Sequence, residues 1–532
     1  MFSRRHLLKF LGTSCSLPLL SSPIVLLMES IILGSQQKAL AQMAGLNPRK
    51  YLHILQEGAP PRWTFDLFLT PYSSAGFVAS PQLGNKFVKV GNTFQVAYST
   101  ILKNGIQLPL LWQFNVPSSA GGTRPMDPLL DNLLQMRGIE VKIPDHGAAQ
   151  SLQFSPLGAL HSLTALSADA SNAPIPAINL SLSQYQFKSM AAKSSVTIPN
   201  GGNMISTLLT PFIRNNTVDF ENKRKLASLS LDTAIEILDN SLIKQNSNSQ
   251  ILSNSTKAAK DLLSTGFGNL TTVWNDLYNK YKDLVMRSLD PNQTLVGIND
   301  KTITPDGTEL FQINFSIIKN PDLRSLITTS TTITYLAEHF AVAEYVLINN
   351  LSDSISIGPG WLEGLNLNNG LTNLGSDEHG TSGTASLMLN SFTNIAYAAC
   401  LLELIDQLKA KSIFNETVIV MGGEFGRSAR KDAKGSDHGY MGSSSSIYSG
   451  ALTGPMILGN IYNNRSQDPG DGGTWGLGAP VKELSRALNL SDWTSTLAFL
   501  LRVPSPVTAG NSILSMDKEG MITSLIEKAI QV

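Results

Sequence analysis

The sequence predicts an α/β protein with a doubly wound, largely parallel central sheet flanked by helices. Three observations predict it. Thr417 to Met421 (TVIVM) is a continuous apolar run, β-branched except at its last residue, which is the pattern of a strand buried on both faces. Ala385 to Lys411 sets Leu387, Leu389, Ala396, Ala399, Leu402, Ile405 and Leu408 in a helical pattern and feeds into that strand. A short strand over Ser354 to Gly358 precedes the helix, so strand, helix and strand follow one another as in a right-handed βαβ unit.

Residues 1–41 read as an address rather than as fold. Ser3-Arg4-Arg5-His6-Leu7-Leu8-Lys9 has the form of a twin-arginine export signal, Leu17 to Leu33 is an interrupted apolar stretch, and Ala39-Leu40-Ala41 forms a cleavage site before Gln42. The alternative is an N-terminal membrane anchor. It would prefer roughly 20 unbroken apolar residues, and Ser, Pro and Glu29 break this run. The expectation is therefore a mature chain of 42–532 in the periplasm or cell envelope, with no later membrane span. Twin-arginine export carries folded proteins, often with a metal or cofactor inside.

Composition narrows the chemistry. Cys15 leaves with the signal, so the mature chain keeps Cys400 alone, set in an apolar helical pattern and expected in the core. Intramolecular disulfides and thiolate clusters are excluded, and a metal would have to use carboxylate, imidazole or hydroxyl ligands, pointing to Zn, Ca, Mg or Mn. Lys+Arg and Asp+Glu both number 40 and only 15% of residues are charged, so nothing suggests a nucleic-acid partner.

Taken in order, Lys50 to Gln56 (KYLHILQ) is the first strand, followed by a turn-rich segment from Glu57 through Thr64 to Asp66. Short β-like runs follow at Lys86 to Val90, Phe94 to Ser99 and Leu108 to Phe114, then a short helix over Met126 to Met136. Residues 138–170 gather Asp145, His146, His161 and Asp169, and either histidine alone reads as structural more readily than as a site residue. Residues 175–222 read as surface loops or an inserted subdomain. The helical patterns Lys223 to Lys244 and Ala258 to Arg287 extend that insertion to about 175–290. A helix over Leu336 to Glu344 carries His339, read as packed or solvated, and leads to a strand over Tyr345 to Ile348. The last hundred residues give a Ser/Gly loop (Gly442 to Gly450), a strand at Met456 to Leu458, and helices over Ser491 to Leu501 and Met521 to Ile530.

The chemistry concentrates beside the strand of the opening observation. Gly422 and Gly423 stop it, and Glu424 sits where its carboxyl end opens. Asp437 and His438 follow between Gly435 and Gly439, and Asp377 and His379 stand in the loop before the long helix. Three carboxylates and two imidazoles at adjacent strand ends suit a divalent cation or acid/base work, and an open coordination position there would polarise an ester oxygen or activate water. The alternative is that these acids cap helices and bond loop amides.

The segments SRRHLLK, KYLHILQEG, GSDEHG, TVIVMGGEFGR and GSDHG, in that order, resemble a family of twin-arginine-exported, sulfatase-like bacterial proteins of unknown function within the alkaline phosphatase superfamily. The resemblance implies an alkaline phosphatase/sulfatase-like sheet with metal at the carboxyl ends of its strands. It assigns Asp377 and His379 to an Asp-x-His ligand pair, Glu424 to the acid after the central strand and Asp437 with His438 to the final pair. Asp66 stands in place of the acid that follows strand one, though Pro60, Pro61 and Trp63 intervene. Arg427 would bind an anionic substrate oxygen through its planar fork, or else make a buried structural pairing. Gly58-Ala59-Pro60-Pro61-Arg62 has glycine where sulfatases carry the Cys or Ser that becomes formylglycine, so that chemistry is excluded there, and Thr64 is the remaining hydroxyl nucleophile. Ser376 replaces the phenylalanine of the family's Asp-x-His loop. The implied activity is metal-dependent hydrolysis of a phosphate or sulfate ester, from a small molecule or a glycan. The competing expectation is a non-catalytic envelope protein that keeps the fold and binds a glycan or a protein partner.

Overall fold

Alternation along the first strand sets the architecture. Tyr51 packs into one apolar layer and Leu52 and Ile54 into another, so this strand has a core on each face. The computed structural model describes residues 47–66, 86–90, 93–97, 100–143, 145–156, 159–171, 173, 175–181, 185–213, 270–288, 331–358, 383–429, 436–439, 442–462, 476–508 and 510–529. The segment read as a twin-arginine signal, most of the expected helical insertion, and Asp377 with His379 lie outside them.

The central sheet comprises β1 (Lys50–Gln56), β2 (Leu133–Ile139), β3 (Ala177–Asn179), β4 (Ser195–Thr197), β5 (Ser354–Ile357), β6 (Thr417–Gly423), β9 (Ser443–Tyr448) and β10 (Met456–Leu458). Their order is β4-β3-β5-β1-β6-β9-β2-β10. Between β6 and β9 a separate hairpin pairs β7 (Gly426–Ala429) with β8 (Ser436–Gly439). The sheet is mixed. Only β9 runs against the others, antiparallel to β6 and to β2, while the remaining neighbours pair in parallel. β1 lies centrally, with Tyr51 opposite Ser354 on one side and Val418 on the other.

Helices cover both faces. On one, α1 (His146–Phe154), α2 (Leu163–Ala170) and α7 (Leu490–Leu501) pack Leu152, Leu166, Trp493 and Leu497 against Tyr51, Val418, Val420 and Ile447. On the other, α3 (Met204–Ile213), α4 (Leu270–Ser288), α5 (Thr331–Ile348) and α6 (Gly383–Ala410) pack against Leu52, Ile54, Ile355, Ile419 and Met421. Cys400 is fully buried in this second layer, as expected of a small apolar side chain. A charged network ties its helices together: Lys280 on α4 meets Glu344 on α5 at 2.7 Å and Glu403 on α6 at 3.2 Å. Tyr281 also donates to Glu344 at 2.6 Å. Two histidines are buried, and desolvation lowers each pKa from 6.5 to about 3: His53 in β1, against Phe154, and His339 in α5, whose Nε2 meets Asn200. Among the described residues no helix is long and apolar enough to cross a membrane.

Several elements depart from the sequence reading, each for a local reason. Met126 to Met136 is not a helix. Asp127–Leu129 forms a single 3-10 turn and the chain then extends into β2, which is buried along its whole length between two neighbouring strands. The Ser/Gly loop Gly442 to Gly450 is instead mostly β9, where the small serines fit between β6 and β2 and Ser446 donates to Gln135 at 2.6 Å. Tyr345 to Ile348 continues α5, whose end comes where Asn350 turns left-handed at φ 53°. Met521 to Ile530 holds a hairpin strand, Ile522–Ser524, paired with Leu514–Met516. Asp517 fixes the turn by accepting from the amides of Glu519 and Met521. In the span read as surface loops, β3 and β4 form one edge of the main sheet. Leu108 to Phe114 splits into the end of a strand, Ile106–Pro109, and a 3-10 turn, Leu110–Gln113.

Candidate functional site

The parallel pairing of β1 with β6 brings Gln56 opposite Gly423, so both chains emerge side by side at the sheet's carboxyl edge. Gly58 and Ala59 then both adopt left-handed backbone, at φ 79° and 45°. This turn holds the β1 loop against the residues that follow β6.

Glu424 is fully buried and its carboxylate is surrounded by donors. Oε1 accepts from the Gly58 amide at 3.0 Å and from Gln150 Nε2 at 2.6 Å, and Oε2 meets His146 Nδ1. Its backbone carbonyl accepts from Gln153 Nε2 at 3.1 Å. His146, Gln150 and Gln153 stand at i, i+4 and i+7, which is one face of α1, so the whole helix is docked on this one residue. Asp145 caps α1 through the Ala148 amide, which gives it a structural role.

His438 arrives on the hairpin, directly across from Arg427. Its ring lies edge-on to His146, with centroids 4.7 Å apart and planes at 88°. Phe425, fully buried, touches both imidazoles, at 4.9 Å from His146 and 4.4 Å from His438. The Nε2 atoms of both histidines are shielded from solvent. Asp437 lies opposite Ser428 in the same hairpin, and its side chain is outside the described residues, like Asp377 and His379.

The other candidates are placed differently. Arg427 directs its guanidinium at main-chain carbonyls: Nε to Ala59 at 2.7 Å, Nη2 to Gly58 at 2.7 Å and Nη1 to Ser436 at 3.4 Å. This is the structural pairing rather than an anion-binding fork. It clamps the β1 loop from the side opposite to Glu424's bond with the Gly58 amide. Asp66 is buried in an ion pair with Arg62, four residues earlier, and Arg62 also donates to Gln56. Burial lowers the Arg62 pKa to about 9. With a guanidinium already neutralising it, Asp66 is turned away from a metal-ligand role. Thr64 sits in the 3-10 turn Arg62–Thr64, and its buried hydroxyl has no hydrogen-bond partner among the described residues. A nucleophile needs a base that accepts its proton, and among the described residues none is in contact with this oxygen.

The donor set thus divides. Glu424 and Asp66 have their oxygens engaged by N–H groups or a guanidinium, which suits neither to bind a cation directly. The imidazole of His438, beside Asp437 in the chain, packs on His146 and Phe425. Among the described residues no group of three or more His, Cys, Asp or Glu side chains is placed to hold a metal ion. Asp169 and His339 are engaged elsewhere, Asp169 by Ser189 and the Met190 amide and His339 by Asn200. Sequence reasoning underrated His146 and missed Gln150. The signal was available in HGAAQSLQ, where three polar side chains of hydrogen-bonding type share one face of an otherwise apolar helix.

Residues 374–466 match a family described as "Protein of unknown function (DUF1501)". That span contains α6, β6, Glu424, the hairpin with His438, β9 and β10. No curated protein matches the chain.

Proposed function

We propose that the chain is an exported, metal-dependent hydrolase of phosphate or sulfate esters, on an alkaline phosphatase-like scaffold and without formylglycine. The observation that carries this reading is the meeting of His146, Glu424 and His438 at the carboxyl edge of the two central strands, where open α/β sheets place their ligands. His438 and Asp437, with Asp377 and His379 from the resemblance, would hold the metal. When bound, a divalent metal supplies charge to polarise the ester and offset the negative charge that develops on its oxygens. The protein's own contribution is to orient: Glu424 fixes the His146 ring, Gln150 fixes Glu424, and Phe425 walls off water.

The test uses protein recovered from the envelope of its native host. It should contain a divalent metal by elemental analysis and hydrolyse an aryl phosphate or aryl sulfate. Asp437→Asn combined with His438→Ala should abolish turnover without changing the circular dichroism spectrum. Absence of metal from the exported protein would refute the proposal.

A second reading, a non-catalytic envelope protein binding a glycan or protein partner, is favoured by one observation. Arg62, Asp66 and Arg427 are all engaged inside the protein, and Thr64 has no base in contact among the described residues. Persistent metal binding with no turnover of either ester would select it.

A further inference from the structure

We infer that His53, Ser356 and Trp493 enclose an internal water site on the α1, α2 and α7 face of the sheet, with Tyr185 as its cover. The site is separate from the one proposed for the activity: His53 lies three residues before the end of β1, inside the sheet rather than at its edge. Alternation puts Tyr51 and His53 on the same face of that strand, and their rings stack at 5.9 Å. Ser356 of β5 stands directly opposite His53 in the parallel ladder, so its hydroxyl projects into the same layer. Ser354, two residues earlier, agrees with that facing: its hydroxyl donates to the Thr164 carbonyl of α2 at 2.7 Å. Trp493 of α7 and Phe154 of α1 close the layer over the imidazole, at ring-centroid distances of 6.2 and 4.9 Å.

His53, Ser356 and Trp493 are each only 1% exposed, yet His53 Nδ1, Ser356 Oγ and Trp493 Nε1 have no hydrogen-bond partner among the described residues. Native interiors rarely leave such groups unmet. The Tyr185 hydroxyl, also buried, approaches Thr164, Ser195 and Ser356 without reaching hydrogen-bond geometry with any of them. Water supplies the complementary groups. An indole N–H only donates, a serine or tyrosine hydroxyl does both, and a neutral imidazole nitrogen accepts or donates according to its tautomer; a molecule that does both satisfies all of them. The spacing agrees. Adjacent strands lie about 4.8 Å apart, a gap that a water with hydrogen bonds of about 2.8 Å spans. Burial lowers the His53 pKa to about 3, so the imidazole is neutral and calls for an uncharged partner rather than an anion. Tyr185 is half-buried, with its ring edge-on to Phe154 at 5.1 Å and beside Phe187 at 6.2 Å, which places it between the site and solvent.

The experiment is a high-resolution crystal structure of the full chain, joined to unfolding measurements in urea. Density should show an ordered water within about 3.2 Å of both His53 Nδ1 and Ser356 Oγ. Ser356→Ala and Tyr185→Phe each delete one oxygen and keep the packing around it. If both hydroxyls serve the same water, the unfolding constant of the double variant should depart from the product of the two single effects by at least about threefold. Ser356 bonded directly to His53 or to Tyr185, or a site with no water density, would overturn the inference. Additive effects of the two oxygen deletions would overturn it as well. The crystallographic arm uses the wild-type chain, so a variant that fails to fold leaves that arm decisive by itself.

Discussion

Replacing Arg427 with alanine distinguishes a clamp from a substrate-binding arginine. Its two bonds at 2.7 Å reach the carbonyls of Gly58 and Ala59, and the third, at 3.4 Å to Ser436, is weak. Alanine leaves two buried acceptors without that donor, at about 1–3 kcal/mol each, so the expected loss of stability is about 2–6 kcal/mol. Arg427→Lys keeps the charge but not the fork. A single ammonium replaces a planar group that serves two carbonyls at once, so roughly half the loss should remain. Urea unfolding followed by tryptophan fluorescence measures both, with the m-value checking that the transition itself is unchanged. If Arg427→Ala unfolds within about 0.5 kcal/mol of the wild type and instead raises KM for an anionic ester, the clamp reasoning is wrong and the arginine belongs to substrate.

Three further outcomes follow from the same structure. Burial holds the folded-state pKa values of His53 and His339 at about 3, below the ordinary histidine value of 6.5. The unfolded chain therefore takes up protons first as pH falls, and stability is lost from about pH 6.5 downward until the folded state also titrates; at pH 5 each histidine should cost about 2 kcal/mol. His339→Leu should flatten that pH dependence by about half in denaturation series run at pH 7 and pH 5. Gly426→Ala should strongly destabilise the hairpin, because a Cβ there would stand 2.5 Å from the Gly442 carbon, whereas Gly422→Ala meets nothing closer than 3.5 Å and should melt near the wild type. Lys280→Met should cost about 3–5 kcal/mol by leaving Glu344 and Glu403 buried without their shared cation. Restoring stability by adding Glu344→Gln would support that cause, and no recovery would argue against it.

The strands that are buried on both faces were legible because their pattern is continuous and apolar. Lys50–Gln56 and Thr417–Gly423 came out close to their true bounds, and the long helix Gly383–Ala410 was marked by its apolar stripe. β9 was not, because four consecutive serines carry a loop signal that the packing between β6 and β2 overrides. β2 was misread because its polar members, Gln135 and Arg137, break the alternation, Gln135 Oε1 accepting from Ser446 and Arg137 Nε donating to the Gly459 carbonyl. At the site, the glycine-framed positions of Glu424 and His438 were legible, and the structure brings the two residues to His146. The partners of Arg427 could not be, since nothing local announces that a side chain will serve carbonyls more than three hundred residues away. Asp66 was misjudged for the opposite reason: Arg62, its partner, stands four residues earlier, and the i,i+4 pairing was in plain view.

The central position of β1 sets a timetable for the chain. The strand is made first, yet its neighbours come from far downstream: Lys50 meets Asp353 across 303 residues, and the Gly58 amide meets Glu424 across 366. At synthesis rates of about 5–20 residues per second, some 300 residues correspond to roughly 15–60 s during which an apolar strand has neither partner. For that interval KYLHILQ is an open edge on both sides, the state most prone to pair with another chain. A protein with this topology needs its first strand shielded until the last third of the polypeptide exists. Slowing synthesis between β1 and β5 should raise aggregation more than the same delay placed after β6, which pulse-labelled solubility would reveal.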